Sequence, residues 1–289
     1  MKNKIIIGTA NFQKKYEINE KNTKKKDIIE LLNFGRKKKI FQVDTSPSYE
    51  KAENILGEFS KHKFKIYTKI PKLRKNIRSN QIENHIFSQV SQSLKNLKQK
   101  KISCIFIQNA KALKSQKGKL IYKTLLSLKK KKKIKKIGIS IYDLRLIDFI
   151  IKNYRFDVVQ APLNILDQRL IKDGWLKKLK KNKIEVHVRS LFLQGVLFLN
   201  SKKLPKKLFR LKKIWRKLDI IKKENSLSNI QLALIPFINN PLIDGFIMGF
   251  ERKSQLNEVL ELNKKKVDFI PKINFNRYSL IDPLKWLKL

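Results

Sequence analysis

Three residues in the first quarter of the chain have the types and spacing for acid–base chemistry. Asp44 closes an apolar run in V-D-T-S-P-S-Y, Tyr49 follows five residues later, and Lys69 closes a second run in I-Y-T-K-I-P. An aspartate beside a lysine keeps the ammonium charged and aimed. A lysine cation near a phenol favours phenolate and lowers the tyrosine pKa from about 10 toward working pH. A tyrosine tuned in this way is a competent general acid for a carbonyl oxygen. Read singly, Asp44–Lys69 is a structural ion pair and Tyr49 a loop aromatic. Read together at neighbouring strand ends, they form a candidate site, because groups that shift one another's titration cluster at function.

Such a site needs elements that bring the ends together. Short β-rich runs occur at Ile5–Thr9, Ile40–Asp44, Phe64–Lys69, Cys104–Gln108, Ile137–Ser140, Asp157–Gln160, Glu185–Arg189 and Ile243–Met248. Between them, apolar residues recur at helical offsets: Ile28, Leu31 and Leu32; Ile82, Ile86 and Val90; Leu211, Ile214, Leu218 and Ile221. A second helix near Ser228–Ile238 precedes the last run. Strands alternating with amphipathic helices predict parallel βα units. Eight of them in 289 residues predict an α/β fold of the closed (β/α)8 TIM-barrel type, one domain over residues 1–289. The competing fold, an open doubly wound sheet, calls for a phosphate fingerprint after the first strand, and G-T-A-N-F-Q is not one.

Barrel enzymes place their sites at the C-terminal ends of the strands. The residues expected there are Thr9 and Ala10, Asp44, Thr45 and Tyr49, Lys69, Gln108 and Asn109, Ser140, Gln160 and Asn164, Arg189 and Ser190, and Gly249. Most are polar, and polar groups converging on one rim are costly unless they pair or serve a site.

The chain carries 68 Lys+Arg against 23 Asp+Glu, a net charge of +45. Only 11 of the basic residues are arginine, the side chain that dominates specific base and bidentate phosphate contacts. The lysines spread along the whole length. They read as a solvated basic surface, with no specific nucleic-acid partner expected; a polyanion-binding role remains the alternative. One cysteine, Cys104, excludes an intrachain disulfide and fits a reducing compartment. The N-terminus lacks a signal-peptide core, and no run reaches the length of a membrane span. The expectation is a cytoplasmic protein without a membrane partner.

Read in order, G-T-A-N-F, D-T-x-x-x-Y with E-x-x-L-G, T-K-I-P, I-G-I-S-I-Y, Q-A-P-L-N-I-L-D-Q-R, V-R-S-L-F-L-Q-G-V-L and G-F-E-R-K-S-Q-L-N-E make the sequence similar to the aldo-keto reductases over nearly its whole length. It resembles most the branch associated with surface-polysaccharide biosynthesis. The resemblance implies a (β/α)8 barrel, hydride transfer from NADPH to a small-molecule aldehyde or ketone, and Tyr49 as proton donor with Lys69 and Asp44 as its partners. It also implies a histidine at the end of the fourth strand, where this chain has Gln108. A glutamine amide can donate to a carbonyl but cannot shuttle a proton. The branch hints at a sugar-derived keto group. The alternative is a catalytically impaired barrel that binds a cofactor or a sugar.

The resemblance further assigns Thr9, Ser140, Gln160, Arg189, Ser190, Gly249, Arg252, Gln255 and Glu258 to cofactor binding. Ser140 and Gln160 would hold the nicotinamide carboxamide, with Ile141 where the family has asparagine. Arg189 would stack on the ring. Ser190 to Gly195 would follow the pyrophosphate, and Gly249–Glu258 the adenosine phosphate. Arg252 and Lys253 favour a 2′-phosphate, whereas Glu251 suits a free ribose hydroxyl, so NADPH is expected and NADH not excluded. Family glycines are replaced by Glu50 and by Glu17 in Tyr16-Glu17-Ile18, which predicts a reshaped substrate mouth. His62, His85 and His187 lack metal-ligand spacing, and no metal is expected. His187 reads as a packing residue, and Trp175, Trp215 and Trp286 as helix or tail packing. The Tyr278–Leu289 stretch is a candidate either to pack across the barrel or to cap a site.

Overall fold

The structure, a computed structural model, describes residues 2–12, 23–59, 64–71, 73–74, 76–262, 273, 275 and 280. Tyr16-Glu17-Ile18, His62, Trp286 and all of Tyr278–Leu289 except Leu280 lie outside the described residues.

Eight strands close into one parallel barrel in sequence order, each paired with its neighbours and the last with the first: β1 (Ile5–Gly8), β2 (Gln42–Asp44), β3 (Lys65–Ile70), β4 (Ile102–Ile107), β5 (Ile134–Ser140), β6 (Val158–Pro162), β7 (Glu185–Arg189) and β8 (Gly245–Gly249). Ten α-helices occur among the described residues: α1 (Lys25–Lys37), α2 (Ala52–Glu58), α3 (Ile82–Asn96), α4 (Gln116–Lys130), α5 (Leu146–Asn153), α6 (Arg169–Lys172), α7 (Trp175–Lys181), α8 (Lys212–Glu224), α9 (Asn229–Leu234) and α10 (Lys253–Glu261). This is the expected (β/α)8 barrel. No helix among the described residues is long and apolar enough to cross a membrane.

The helices bury the apolar stripe that the sequence periodicity marked. Ile28, Leu31 and Leu32 of α1 and Ile82, Ile86 and Val90 of α3 are buried against the outside of the barrel. Several strand bounds differ from the expected ones. β5 begins at Ile134, three residues before the expected Ile137, because Lys135 and Lys136 break the apolar signal while the backbone already pairs. β4 ends at Ile107, so Gln108 is the first residue beyond it. β8 runs from Gly245 to Gly249, two residues later at its start than the apolar run.

Side chains alternate in and out along each strand. Inside the barrel, Ile6, Tyr67, Cys104, Phe106 and Val158 form a separate buried cluster. His187 joins it, edge-on to Tyr67 at a centroid distance of 4.9 Å. Two glycines make this filling possible. A Cβ on Gly138 would sit 2.4 Å from the Phe106 ring, and one on Gly245 would sit 2.5 Å from Ile6 and 2.7 Å from His187. The barrel is therefore plugged, and this plug is the floor of whatever lies at the C-terminal end.

Candidate active site

Two residues beyond the plug, the same alternation brings a charged layer inward. Tyr67 on β3 is followed by Lys69, Gln42 on β2 by Asp44, Val158 on β6 by Gln160, and His187 on β7 by Arg189. Lys69 Nζ donates to Asp44 Oδ1 at 2.6 Å and to the Thr45 carbonyl at 2.8 Å. Gln160 Nε2 donates to Asp44 Oδ2, also at 2.6 Å. All three side chains are buried.

Burial disfavours the Lys69 ammonium, but attraction to Asp44, electrostatic coupling to Tyr49 and the Asp44 hydrogen bond outweigh it, and the net shift of its pKa is upward. Lys69 stays charged. Its Nζ lies 5.1 Å from the centroid of the half-buried Tyr49 ring. Burial pushes the Tyr49 phenol up, and the opposing pull of Lys69 does not reverse it. The sequence expectation of a lowered tyrosine pKa is corrected here. It weighed the lysine and not the desolvation of the phenol. At neutral pH Tyr49 is therefore a protonated phenol, the state a proton donor requires.

These groups open into a cavity of about 920 Å³ at the C-terminal end of the barrel. Asp44, Tyr49, Lys69 and Gln108 all line it. Gln108 is half-buried, and its amide has no hydrogen-bond partner among the described residues. Ser140, Gln160, Arg189, Ser190, Gly249 and Gln255 line it as well.

Three expected residues do not reach the cavity wall. Thr9 donates its hydroxyl to the Asp44 carbonyl at 3.1 Å and ties β1 to β2. Glu258 accepts from Ser228 Oγ at 2.6 Å. Arg252 is exposed beside Lys253, whose Nζ pairs with Glu30 at 3.1 Å. Asn164 lines the cavity but spends its Oδ1 on the backbone N–H groups of Leu166 and Asp167. Gln255 Oε1 accepts from the Glu251 backbone N–H at 2.7 Å and holds the loop after β8.

Sequence reasoning missed aromatic residues of the wall, Tyr142 and Trp175 among them. Tyr142, 40% exposed, lies under the Arg189 guanidinium, whose carbon is 3.9 Å from the ring centroid. Its phenol is close enough to Tyr49 and Lys69 to influence the titration of both. The signal was present in I-G-I-S-I-Y, one residue past the position considered. Trp175, read as helix packing, opens α7 and lines the mouth. His187 is buried as expected, with Nε2 2.7 Å from Glu185 Oε1 and Nδ1 without a partner. Among the described residues there is no His/Cys/Asp/Glu group able to hold a metal ion.

Three features of the cavity fit a nicotinamide nucleotide. Gln160 Oε1 and Arg189 Nε are buried polar atoms without partners. Ser190, Leu193, Gln194 and Gly195, all in the cavity wall, have φ of 63°, 48°, 52° and 80°, a cluster of left-handed backbone of the kind found at ligand clamps.

Comparison with known proteins agrees with the architecture. An aldo-keto reductase from Pseudomonas aeruginosa superposes with a TM-score of 0.63 at 15% identity, covering 88% of this chain and 86% of its own. The holo form of an aldo-keto reductase from Bacillus halodurans superposes with a TM-score of 0.68 at 16% identity, covering 91% and 87%. At such identities the likeness speaks to the fold. No curated protein matches the sequence significantly. The sequence itself matches the Aldo/keto reductase family over residues 4–272, and the chain belongs to that family.

Proposed function

We propose that the protein is an NAD(P)H-dependent carbonyl reductase in which Tyr49 is the general acid. The observation that carries this reading is the Asp44–Lys69–Tyr49 arrangement: a buried, charged lysine held by a carboxylate beneath a protonated phenol that faces a cavity. NADPH, or NADH, supplies the hydride when bound. The chain's own residues do the rest. Tyr49 gives its proton to the carbonyl oxygen as that oxygen gains negative charge. The Lys69 cation stabilises the phenolate left behind, and Asp44 keeps the lysine in place. The unengaged amide of Gln108 donates to the same oxygen and polarises it, where the resemblance places a histidine.

In this reading Gln160 Oε1 and the Ser140 hydroxyl would hold an amide group, and the loop Ser190–Gly195 a diphosphate. The whole chain acts as one barrel domain, and its single buried thiol suits a reducing cytoplasm. The branch resemblance points to a sugar-derived ketone or aldehyde as substrate. A second reading rests on Gln108: a barrel that binds the cofactor or a sugar without turnover.

Fluorescence titration with NADPH and NADH, followed by a carbonyl panel, separates the readings. Saturable binding with turnover supports the reductase. Binding without turnover supports the second reading, and no binding of either nucleotide removes both cofactor readings.

A further inference from the structure

In a parallel βα barrel every helix that leads into a strand ends at the face opposite the active site. The sequence spreads lysines along the chain; the fold collects many of them on that face. Exposed cations stand at Lys37, Lys38 and Lys39 at the end of α1, at Lys98, Lys100 and Lys101 after α3, at Lys130 to Lys133 and Lys135 around the α4–β5 turn, and at Lys181 and Lys183 at the end of α7. Backbone bonds tie neighbouring strand starts on this face in pairs: Lys65 N–H bonds the Phe41 carbonyl, Ile102 N–H the Lys133 carbonyl, Glu185 N–H the Asp157 carbonyl. Carboxylates at the starts of β6, β7 and β8 are already taken: Asp157 by Lys129, Glu185 by Lys136, Asp244 by Lys180. The cavity mouth, by contrast, mixes Lys111, Arg145 and Arg169 with Asp143, Asp167 and Asp173.

A second observation concerns the backbone. Helices α1, α3, α4 and α7 all end in the same motif. In each, the second residue after the helix bonds back to the next-to-last helical carbonyl, and the following residue bonds to the carbonyl before it. The pairs are Lys39→Arg36 with Ile40→Gly35, Lys98→Lys95 with Gln99→Leu94, Lys132→Lys129 with Lys133→Leu128, and Lys183→Lys180 with Ile184→Leu179. The pivot residue of this motif is left-handed and is usually glycine. Here it is lysine four times, with φ of 60°, 49°, 57° and 57°. Charge stands on this face at positions where it strains the backbone.

We propose, against the sequence expectation of no membrane partner, that this face docks on an anionic lipid bilayer. The charge is carried by lysine on the turns that lead into β2, β4, β5 and β7, spread on both sides of the barrel axis, which suits a broad anionic surface better than the stripe or groove that follows a nucleic-acid strand. Phe41, 36% exposed, follows Lys39 by two residues, pairs through its carbonyl with the Lys65 N–H and can enter the headgroup layer. Docking in this orientation turns the cavity mouth toward solvent, so the inference stands independently of the reductase reading.

The test uses the full chain and sedimentation with vesicles of phosphatidylcholine alone or of equimolar phosphatidylcholine and phosphatidylglycerol. One variant carries Lys39→Gly, Lys98→Gly, Lys132→Gly and Lys183→Gly, which removes four charges while relieving backbone strain. A control carries Lys119→Gln, Lys123→Gln, Lys213→Gln and Lys217→Gln on the helix walls, with the same change in net charge. Asparagine at the four pivots is a second variant that keeps a left-handed turn. Binding at physiological salt to the anionic vesicles only, weakened at least about tenfold by the pivot variants and retained by the control, is expected. An equal loss in the control reduces the effect to net charge and overturns the proposal. So does absence of vesicle binding, including the case in which the same lysines bind a single-stranded oligonucleotide instead.

Discussion

Gln160 Nε2 donates to Asp44 Oδ2 across the barrel, joining residues 116 positions apart in the chain. The other Asp44 oxygen receives Lys69, so the carboxylate is clamped from two strands. An ionised carboxylate only accepts, so the amide must present its nitrogen to Asp44. Its oxygen is thereby turned away, buried and unpaired. One interaction thus fixes the partner of Lys69 and leaves a buried, unpaired acceptor on a residue that lines the cavity. Replacing Gln160 with Ala should weaken nicotinamide-nucleotide affinity more than it lowers kcat. Titration and steady-state kinetics together check this.

Tyr49→Phe removes the proposed proton donor and keeps the ring above Lys69. Turnover should fall by about 10²–10⁴, with cofactor affinity nearly unchanged. Turnover equal to the parent protein's would remove Tyr49 from the mechanism.

Asp44→Asn leaves the Lys69 ammonium buried without a counter-charge. Both side chains are only 6% exposed in the parent pair. The loss should be about 3–5 kcal/mol of stability, read as a lower denaturation midpoint in urea. A midpoint unchanged from the parent would show that the pair contributes little.

The pH dependence of reduction follows from the raised pKa of Tyr49. Its acid form persists through neutral pH, so kcat should stay level there and fall only above about 10. Gln108 does not titrate. Gln108→His should add an inflection near 6.5, the ordinary histidine value, while Gln108→Ala should lower kcat without one. A profile identical for all three proteins would place residue 108 outside the chemistry.

At the opposite end, Glu185 is half-buried. Burial alone would raise its pKa, but His187 and Lys136 outweigh that and bring it down from 4.5 to about 2. A depressed carboxylate stabilises the fold above its unfolded value and loses that contribution as pH falls through the folded one. Between pH 4.5 and about 2 the protein should therefore lose about 3 kcal/mol on this account. Glu185→Gln should be less stable at neutral pH and should lose less on acidification, as denaturation series at each pH will show.

The sequence by itself determined the barrel, because its two periodicities, two for strands and 3.6 for helices, are local and repeat eight times. It also marked Asp44, Tyr49, Lys69 and Gln108, because strand-end position in this fold is readable from where an apolar run stops. It could not set strand starts such as Ile134, where lysines at the barrel's base hide the pairing. Nor could it weigh burial against charge, and the Tyr49 pKa moved opposite to expectation for that reason. Which polar residues face the cavity was likewise a matter of three dimensions. Thr9 and Glu258 turned to protein partners, while Tyr142 and Trp175 came into the wall. The lysines make the same point. Along the chain they are scattered, and only the common direction of the helices gathers so many of them at one face.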